Sequence, residues 1–145
     1  MINQANPRGE FLLMAVPVAD NSGAGPVSGE ALMFGDVTAG NLCGVAQNSY
    51  TPPTGIPNPE GVGVQFIGVF FLTVLGSTQV SPIAGHALNP GDRVYADGGT
   101  YDATTGCTYG FTLDANSSAP YFGNTLDAVL SGALTTVRVR LKVNG

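Results

Sequence analysis

The sequence predicts an all-β chain, a compact β-sandwich or β-barrel-like domain with little or no helix. Three observations carry this. First, 21 glycines and 10 prolines in 145 residues interrupt the chain so often that almost no window suits a long helix. Second, the runs between these breaks are short and rich in residues that fit a pleated, half-buried surface. Third, the last run alternates, with Val137, Val139, Leu141 and Val143 set against Thr136, Arg138, Arg140 and Lys142. A period of two puts the apolar residues on one face of a strand and the cations on the other. The length fits one domain with a sizeable core.

Taken in order, Met1 to Glu10 is polar, holds Pro7 and lacks periodicity, so it reads as an extended arm. Phe11 to Ala19 is an apolar strand whose Pro17 suits a sheet edge. Asn21 to Pro26 is a turn, Glu30 to Phe34 a short strand, Gly35 to Gly40 another turn and Asn41 to Gln47 a strand. Asn48 to Gly61 carries Pro52, Pro53, Pro57 and Pro59, which forbid a regular ladder and make it a surface loop inserted into the domain. Val62 to Leu75 is the most apolar stretch and predicts strand buried on both faces. Gln79 to Gly85 and Arg93 to Asp97 are short strands around the turn Asn89-Pro90-Gly91-Asp92. Cys107 to Leu113 is a strand and Asp114 to Pro120 a polar loop. Tyr121 to Leu126 leads into a single helical turn at Leu126 to Leu130, and Ala133 to Asn144 is the closing strand.

Charge and composition exclude several function classes. The formal net charge is −5 and no cation occurs between Arg8 and Arg93. Nucleic-acid binding rests on Lys and Arg displacing counterions from phosphates, so no nucleic-acid partner is expected. Val62 to Leu75 is shorter than the roughly 20 apolar residues of a membrane span, so no membrane partner is expected either. The first residues do not resemble a signal peptide. A reducing cytoplasm then leaves Cys43 and Cys107 as free, buried thiols rather than a disulfide. Only 10% of residues are charged, against roughly a quarter in typical soluble domains. A surface so poor in charge suits assembly more than charge-steered chemistry.

Catalytic and cofactor signatures are missing. The sole histidine, His86, has neither cysteine near it in sequence, and neither a Gly-x-Ser-x-Gly elbow nor a phosphate-binding Gly-x-x-x-x-Gly-Lys loop is present. No catalytic residue, cofactor site or metal site is predicted. Asp92, Asp97 and Asp102 recur every five residues but lack the alternating oxygens of a calcium loop. Asp92 and Asp97 flank glycines, where aspartate bonds backbone amides of turns. Asn116-Ser117-Ser118 matches a glycosylation sequon that has no meaning without secretion. Tyr50, Tyr95, Tyr101, Tyr109 and Tyr121 suggest a sugar-stacking platform, though tyrosines at strand ends also serve as core edges with a wet hydroxyl. The Arg138, Arg140, Lys142 stripe reads either as a solvated face or as a contact for carboxylates of a neighbouring copy, with Asp92, Asp97 and Asp127 as partners.

Four segments, in order, resemble the small capsid cement proteins of tailed phages. They are Val27-Ser28-Gly29-Glu30-Ala31-Leu32 running on to Asn41-Leu42-Cys43-Gly44-Val45-Ala46; Val64-Gln65-Phe66-Ile67-Gly68-Val69-Phe70; Leu88-Asn89-Pro90-Gly91-Asp92-Arg93-Val94-Tyr95-Ala96-Asp97; and Phe122-Gly123 with Leu126-Asp127-Ala128-Val129, then Thr135-Thr136-Val137-Arg138-Val139-Arg140-Leu141. The resemblance implies a non-enzymatic decoration protein, a homotrimer that clamps major capsid protein subunits on the outside of the virion after synthesis in the bacterial host cytoplasm. Asn48 to Gly61 and Gly98 to Pro120 look longer than the compact family pattern. The residues offered as subunit or capsid contacts are Asn3, Gln4, Asn6 and Arg8 on the arm, and Arg138, Arg140 and Lys142 on the last strand. The competing reading is a carbohydrate-binding or adhesion module of a phage fibre or spike, recognisable by exposed tyrosines lining a groove.

Overall fold

The computed structural model describes residues 11–14, 26–35, 42–47, 62–76, 87–102 and 106–142. All of their regular structure is β, as expected. No helix among them is long and apolar enough to cross a membrane. The strands distribute over two compact units, one made of residues 1–67 and 100–110, the other of 68–99 and 111–145.

The first unit is a six-stranded antiparallel sheet. Its strands are β1 (Phe11–Met14), β2 (Ala31–Phe34), β3 (Leu42–Ala46), β4 (Val62–Gln65), β7 (Thr100–Asp102) and β8 (Cys107–Tyr109), arranged β1-β4-β3-β2-β8-β7. β1 lies at an edge, the place Pro17 suggested for this segment, although Pro17 itself is outside the described residues. Leu32, Phe34, Ala46, Val64, Phe66 and Cys107 form the core, with Tyr109 packed on it. The Phe34 and Phe66 rings meet at 5.8 Å. Met33, Cys43 and Val45 are buried as well. Side chains alternate along β2, so these belong to the opposite face, and the central strands are covered on both sides. This is why Ala-Leu-Met-Phe reads as an unbroken apolar run.

Cys43 and Cys107 are free and buried. Cys43 pairs with Met33 and Cys107 with Phe34. Successive residues of β2 point to opposite faces, so the two thiols lie on opposite sides of the sheet and this register keeps them apart. Glu30 ties the unit together at its rim. One carboxylate oxygen accepts from the Val27 N–H at 2.9 Å and the other from the Gly110 N–H at 2.8 Å, closing a turn and anchoring the end of β8.

The second unit is a closed five-stranded barrel. β5 (Val69–Leu75), β6 (Arg93–Asp97), β9 (Thr112–Asp114), β10 (Tyr121–Thr125) and β11 (Leu134–Leu141) follow the order β10-β11-β5-β9-β6. Only β5 and β9 run parallel; the other pairs are antiparallel. Leu72, Val74, Val94, Ala96, Leu113, Phe122, Val137, Val139 and Leu141 are all buried. The last three fulfil the alternation read from the sequence; Val143 lies outside the described residues. Closure removes the unpaired edges that an open sheet of this size would expose. Gly123 is built into the wall: a Cβ there would collide with the Arg140 carbonyl on β11.

Three sequence expectations change. Val62 to Leu75 is not one strand buried on both faces. It is β4 and β5, separated by Phe66–Gly68 and assigned to different units. β5 forms a barrel wall, so Leu72 and Val74 are buried while Val69 and Phe71 are 49% and 74% exposed. Cys107 to Leu113 is likewise two strands, broken at Gly110, whose φ of 70° belongs to the left-handed region that glycine tolerates without strain. The helical turn at Leu126 to Leu130 does not form. The Leu126 N–H donates to the Arg138 carbonyl at 2.7 Å, and Val129 exchanges backbone hydrogen bonds with Leu88, so this segment is drawn out along its neighbours instead of coiling.

Two substitutions test this architecture. Val139→Asp places an unpaired carboxylate at a fully buried position, a loss of at least about 3 kcal/mol; circular dichroism should show the barrel unfolded or its thermal transition sharply lowered. Gly123→Ala should destabilise by roughly 1–3 kcal/mol, because backbone rather than a movable side chain stands in the way. A wild-type denaturation midpoint for Gly123→Ala would show that β10 and β11 are not so closely apposed.

Candidate functional site

The outer wall of the barrel is the most distinctive surface among the described residues. Register defines it. Arg140 pairs with Val69, Arg138 with Phe71 and Thr136 with Thr73. On the other side, Asn124 pairs with both Arg140 and Arg93. Directly paired residues share a face, so Arg93, Asn124, Arg140 and Val69 form a row across four strands, with Phe71 and Arg138 beside it. Thr73 and Thr136 join through their hydroxyls at 3.2 Å. Val69 and Phe71 are exposed at neighbouring outward positions of β5, and Leu134 is exposed at the far end of the ladder, opposite Leu75.

The cations on this wall differ in their surroundings. Arg138 forms the one ion pair among the described residues, with Asp127 at 2.6 Å. Its Nε reaches both carboxylate oxygens, at 3.2 and 3.0 Å, and its backbone N–H donates to Asp127 at 2.9 Å. The side-chain hydrogen bonds from Arg138, followed by that backbone bond, lower the Asp127 carboxyl from 3.8 to about 2, and the Arg138 guanidinium is raised in return. Asp127 therefore serves an arginine of its own chain, not the neighbouring copy to which the sequence offered it. Arg93 stacks over the Tyr121 ring at 5.2 Å, a cation–π contact that leaves its charge unneutralised. Tyr121 is held in turn by Tyr95 edge to face at 6.1 Å and by its hydroxyl bond to Asn124. Asn124 also donates to the Gly91 carbonyl at 2.8 Å, so its side chain is committed to the barrel. Arg140 is exposed and Lys142 half-buried.

The aspartates take the turn roles expected of them, with one difference. Asp92 accepts from the Asn89 N–H at 2.7 Å. Asp97 accepts from the Asn116 side-chain amide at 3.2 Å instead of from a backbone amide. The Asn116 N–H donates to buried Asp114 at 2.7 Å, and the Asn116 side-chain oxygen accepts from the Ser118 N–H at 3.1 Å. Asn116-Ser117-Ser118 is thus a side-chain-stabilised turn. Tyr95, Tyr109 and Tyr121 are half-buried, and Tyr101 is the exposed one among the described tyrosines.

Of the predicted contact residues, the structure places Arg138 and Arg140 on β11 and Lys142 just past its end. Asn3, Gln4, Asn6 and Arg8, the proline loop 48–61, Tyr50 and His86 lie outside the described residues. Sequence reasoning missed Val69, Phe71 and Arg93. The first two were hidden in a run too apolar to show alternation, though Thr73, two residues after Phe71, marks the outward face. No family model, curated protein or solved structure matches the chain.

The depressed carboxyl sets a sign for pH dependence. Asp127 contributes stability above its ordinary value of 3.8, and that contribution is lost as pH falls toward about 2. In an NMR titration its carboxyl should have a midpoint near about 2, moving toward the ordinary range in Arg138→Ala, which removes the side-chain donors but keeps the backbone one. An unchanged midpoint would show that the ion pair does not persist in solution. Arg138→Ala combined with Arg140→Ala should fold normally, since solvent screens exposed pairs and they add little to stability; a large fall in its unfolding temperature would give the stripe a structural role.

Proposed function

We propose that the protein is a non-enzymatic decoration protein of a tailed-phage head. It binds the outer surface of the major capsid protein lattice, stabilises the shell and acts as a homotrimer, after synthesis in the bacterial cytoplasm. The observation that carries this reading is the outer wall of the barrel, where Phe71 stands 74% exposed on a ladder bonded along its whole length. Clustered exposed apolar side chains mark surfaces that meet another macromolecule. The low charge content supports the same reading, as does the ordered series of segments resembling cement proteins. Many identical copies on a repeating lattice turn a modest contact into firm attachment. The carbohydrate-binding alternative asks for exposed tyrosines lining a groove, and nothing observed among the described tyrosines favours it.

Cryo-electron microscopy of the particle that carries the protein provides the test. The expected result is density on the outside of the shell in fixed ratio to the major capsid protein. Particles with the protein confined to the tail or fibres, or lacking it, would overturn the proposal.

A further inference from the structure

We infer that the outer wall of the barrel reads carboxylates, and that the segment of the major capsid protein it meets is acidic, with one carboxylate for Arg93 and another for Arg140 beside an apolar contact on Phe71. The inference rests on the function proposed above for the identity of the partner and adds the chemistry of the contact.

Charge balance within the barrel is the first support. The barrel unit, residues 68–99 and 111–145, has four carboxylates, and each is engaged elsewhere. Asp92 accepts from the Asn89 N–H, Asp97 from the Asn116 side chain and Asp114 from the Asn116 N–H. Asp127 takes Arg138. Arg93 and Arg140 are exposed and form no ion pair among the described residues. They lie in one row on either side of Asn124, roughly 10 Å apart at the backbone, as two strand spacings require. Val69 extends that row beyond Arg140, and Phe71 stands beside it. An apolar contact next to two uncompensated guanidinium groups is complementary to a protein surface that brings apolar side chains and carboxylates together. Inorganic phosphate would leave Phe71 unused, and the same wall of a second copy would set arginine against arginine.

Pre-organisation is the second support. Arg93 lies over the Tyr121 ring at 5.2 Å. That ring is held by Tyr95 edge to face and by its hydroxyl, which donates to Asn124, and the Asn124 amide donates in turn to the Gly91 carbonyl. Stacking covers one face of the guanidinium and leaves the N–H groups around its edge, where a carboxylate accepts two parallel hydrogen bonds. Fixing the plane beforehand lowers the ordering that binding requires. Tyr121 and Asn124 are thus positioning residues, and Arg93 is the group that touches the partner.

Phage shells purified without the protein, titrated with the full-length chain and followed by co-sedimentation, test the inference. A benzophenone cross-linker placed at Phe71, and separately at Thr73, should capture a carboxylate-bearing segment of the major capsid protein. Arg93→Glu with Arg140→Glu should weaken attachment roughly thirty-fold or more and leave the unfolding temperature nearly unchanged, because both residues are exposed. Lysine in place of the carboxylates of the captured segment should restore attachment of that variant. Arg93→Ala should weaken attachment about tenfold, and Tyr121→Leu added to it should weaken it no further, since the ring acts through the guanidinium. Attachment indifferent to the charge reversal overturns the inference, as does capture of a neutral or basic segment or of a second copy of this chain; in these three cases the decoration reading stands. Additive losses from Arg93→Ala and Tyr121→Leu overturn the positioning role of the ring. A wall that binds a single-stranded oligonucleotide, and loses it in the charge-reversed variant, overturns the carboxylate assignment. A wild type that never attaches to shells overturns the decoration reading and the inference with it.

Discussion

The unbroken pairing of β11 with β5, from Leu134 opposite Leu75 to Arg140 opposite Val69, is the constraint from which the barrel follows. Val137, Val139 and Leu141 enter the interior as a consequence of that register, together with Leu72 and Val74. Slipping the pairing by one residue would send arginines inward and valines outward. The same register decides the exterior. Phe71 stands beside Arg138 and Val69 beside Arg140, so the interaction surface and the core are two sides of one ladder. β10 then adds to the far side of β11, and Gly123 lets it approach the Arg140 backbone where any side chain would obstruct closure.

Local pattern made part of this legible in the sequence. Arg93 to Asp97 is a strand with the predicted ends, and the last strand buries its valines as its alternation required. What failed depended on pairing between distant segments. Cys107 to Leu113 reads as one strand because nothing local shows that its two halves pair with β2 and β7 on one side of Gly110 and with β5 and β6 on the other. Val62 to Leu75 failed for a different reason. Phe71 is as apolar as its buried neighbours, so the alternation hinted at by Thr73 becomes plain only from the pairing with β11. Half of the candidate site, on β11, could therefore be read in advance. The half on β5 and β6 required the register.

Scarcity of charge explains why the few charged groups carry so much local organisation. Glu30 bonds two backbone amides far apart in sequence. Asp127 holds both the side chain and the backbone of Arg138. Asp92 and Asp114 each close a turn. Carboxylates accepting backbone N–H groups make stronger hydrogen bonds than neutral acceptors, which helps irregular, glycine-rich connections keep one conformation. These acids are occupied within the fold, and that narrows the groups available for contact with other molecules.

Arg93 and Arg140 stand out against this economy. Where most described acids have a structural task, these two arginines are held in place without a carboxylate, one over an aromatic ring and the other beside an exposed valine. An unpaired arginine on a surface is stable in water, so both side chains remain available beside Phe71 and Val69. Desolvating a guanidinium is costly unless acceptors satisfy its donors, and its planar fork meets a carboxylate with better geometry than a lysine does.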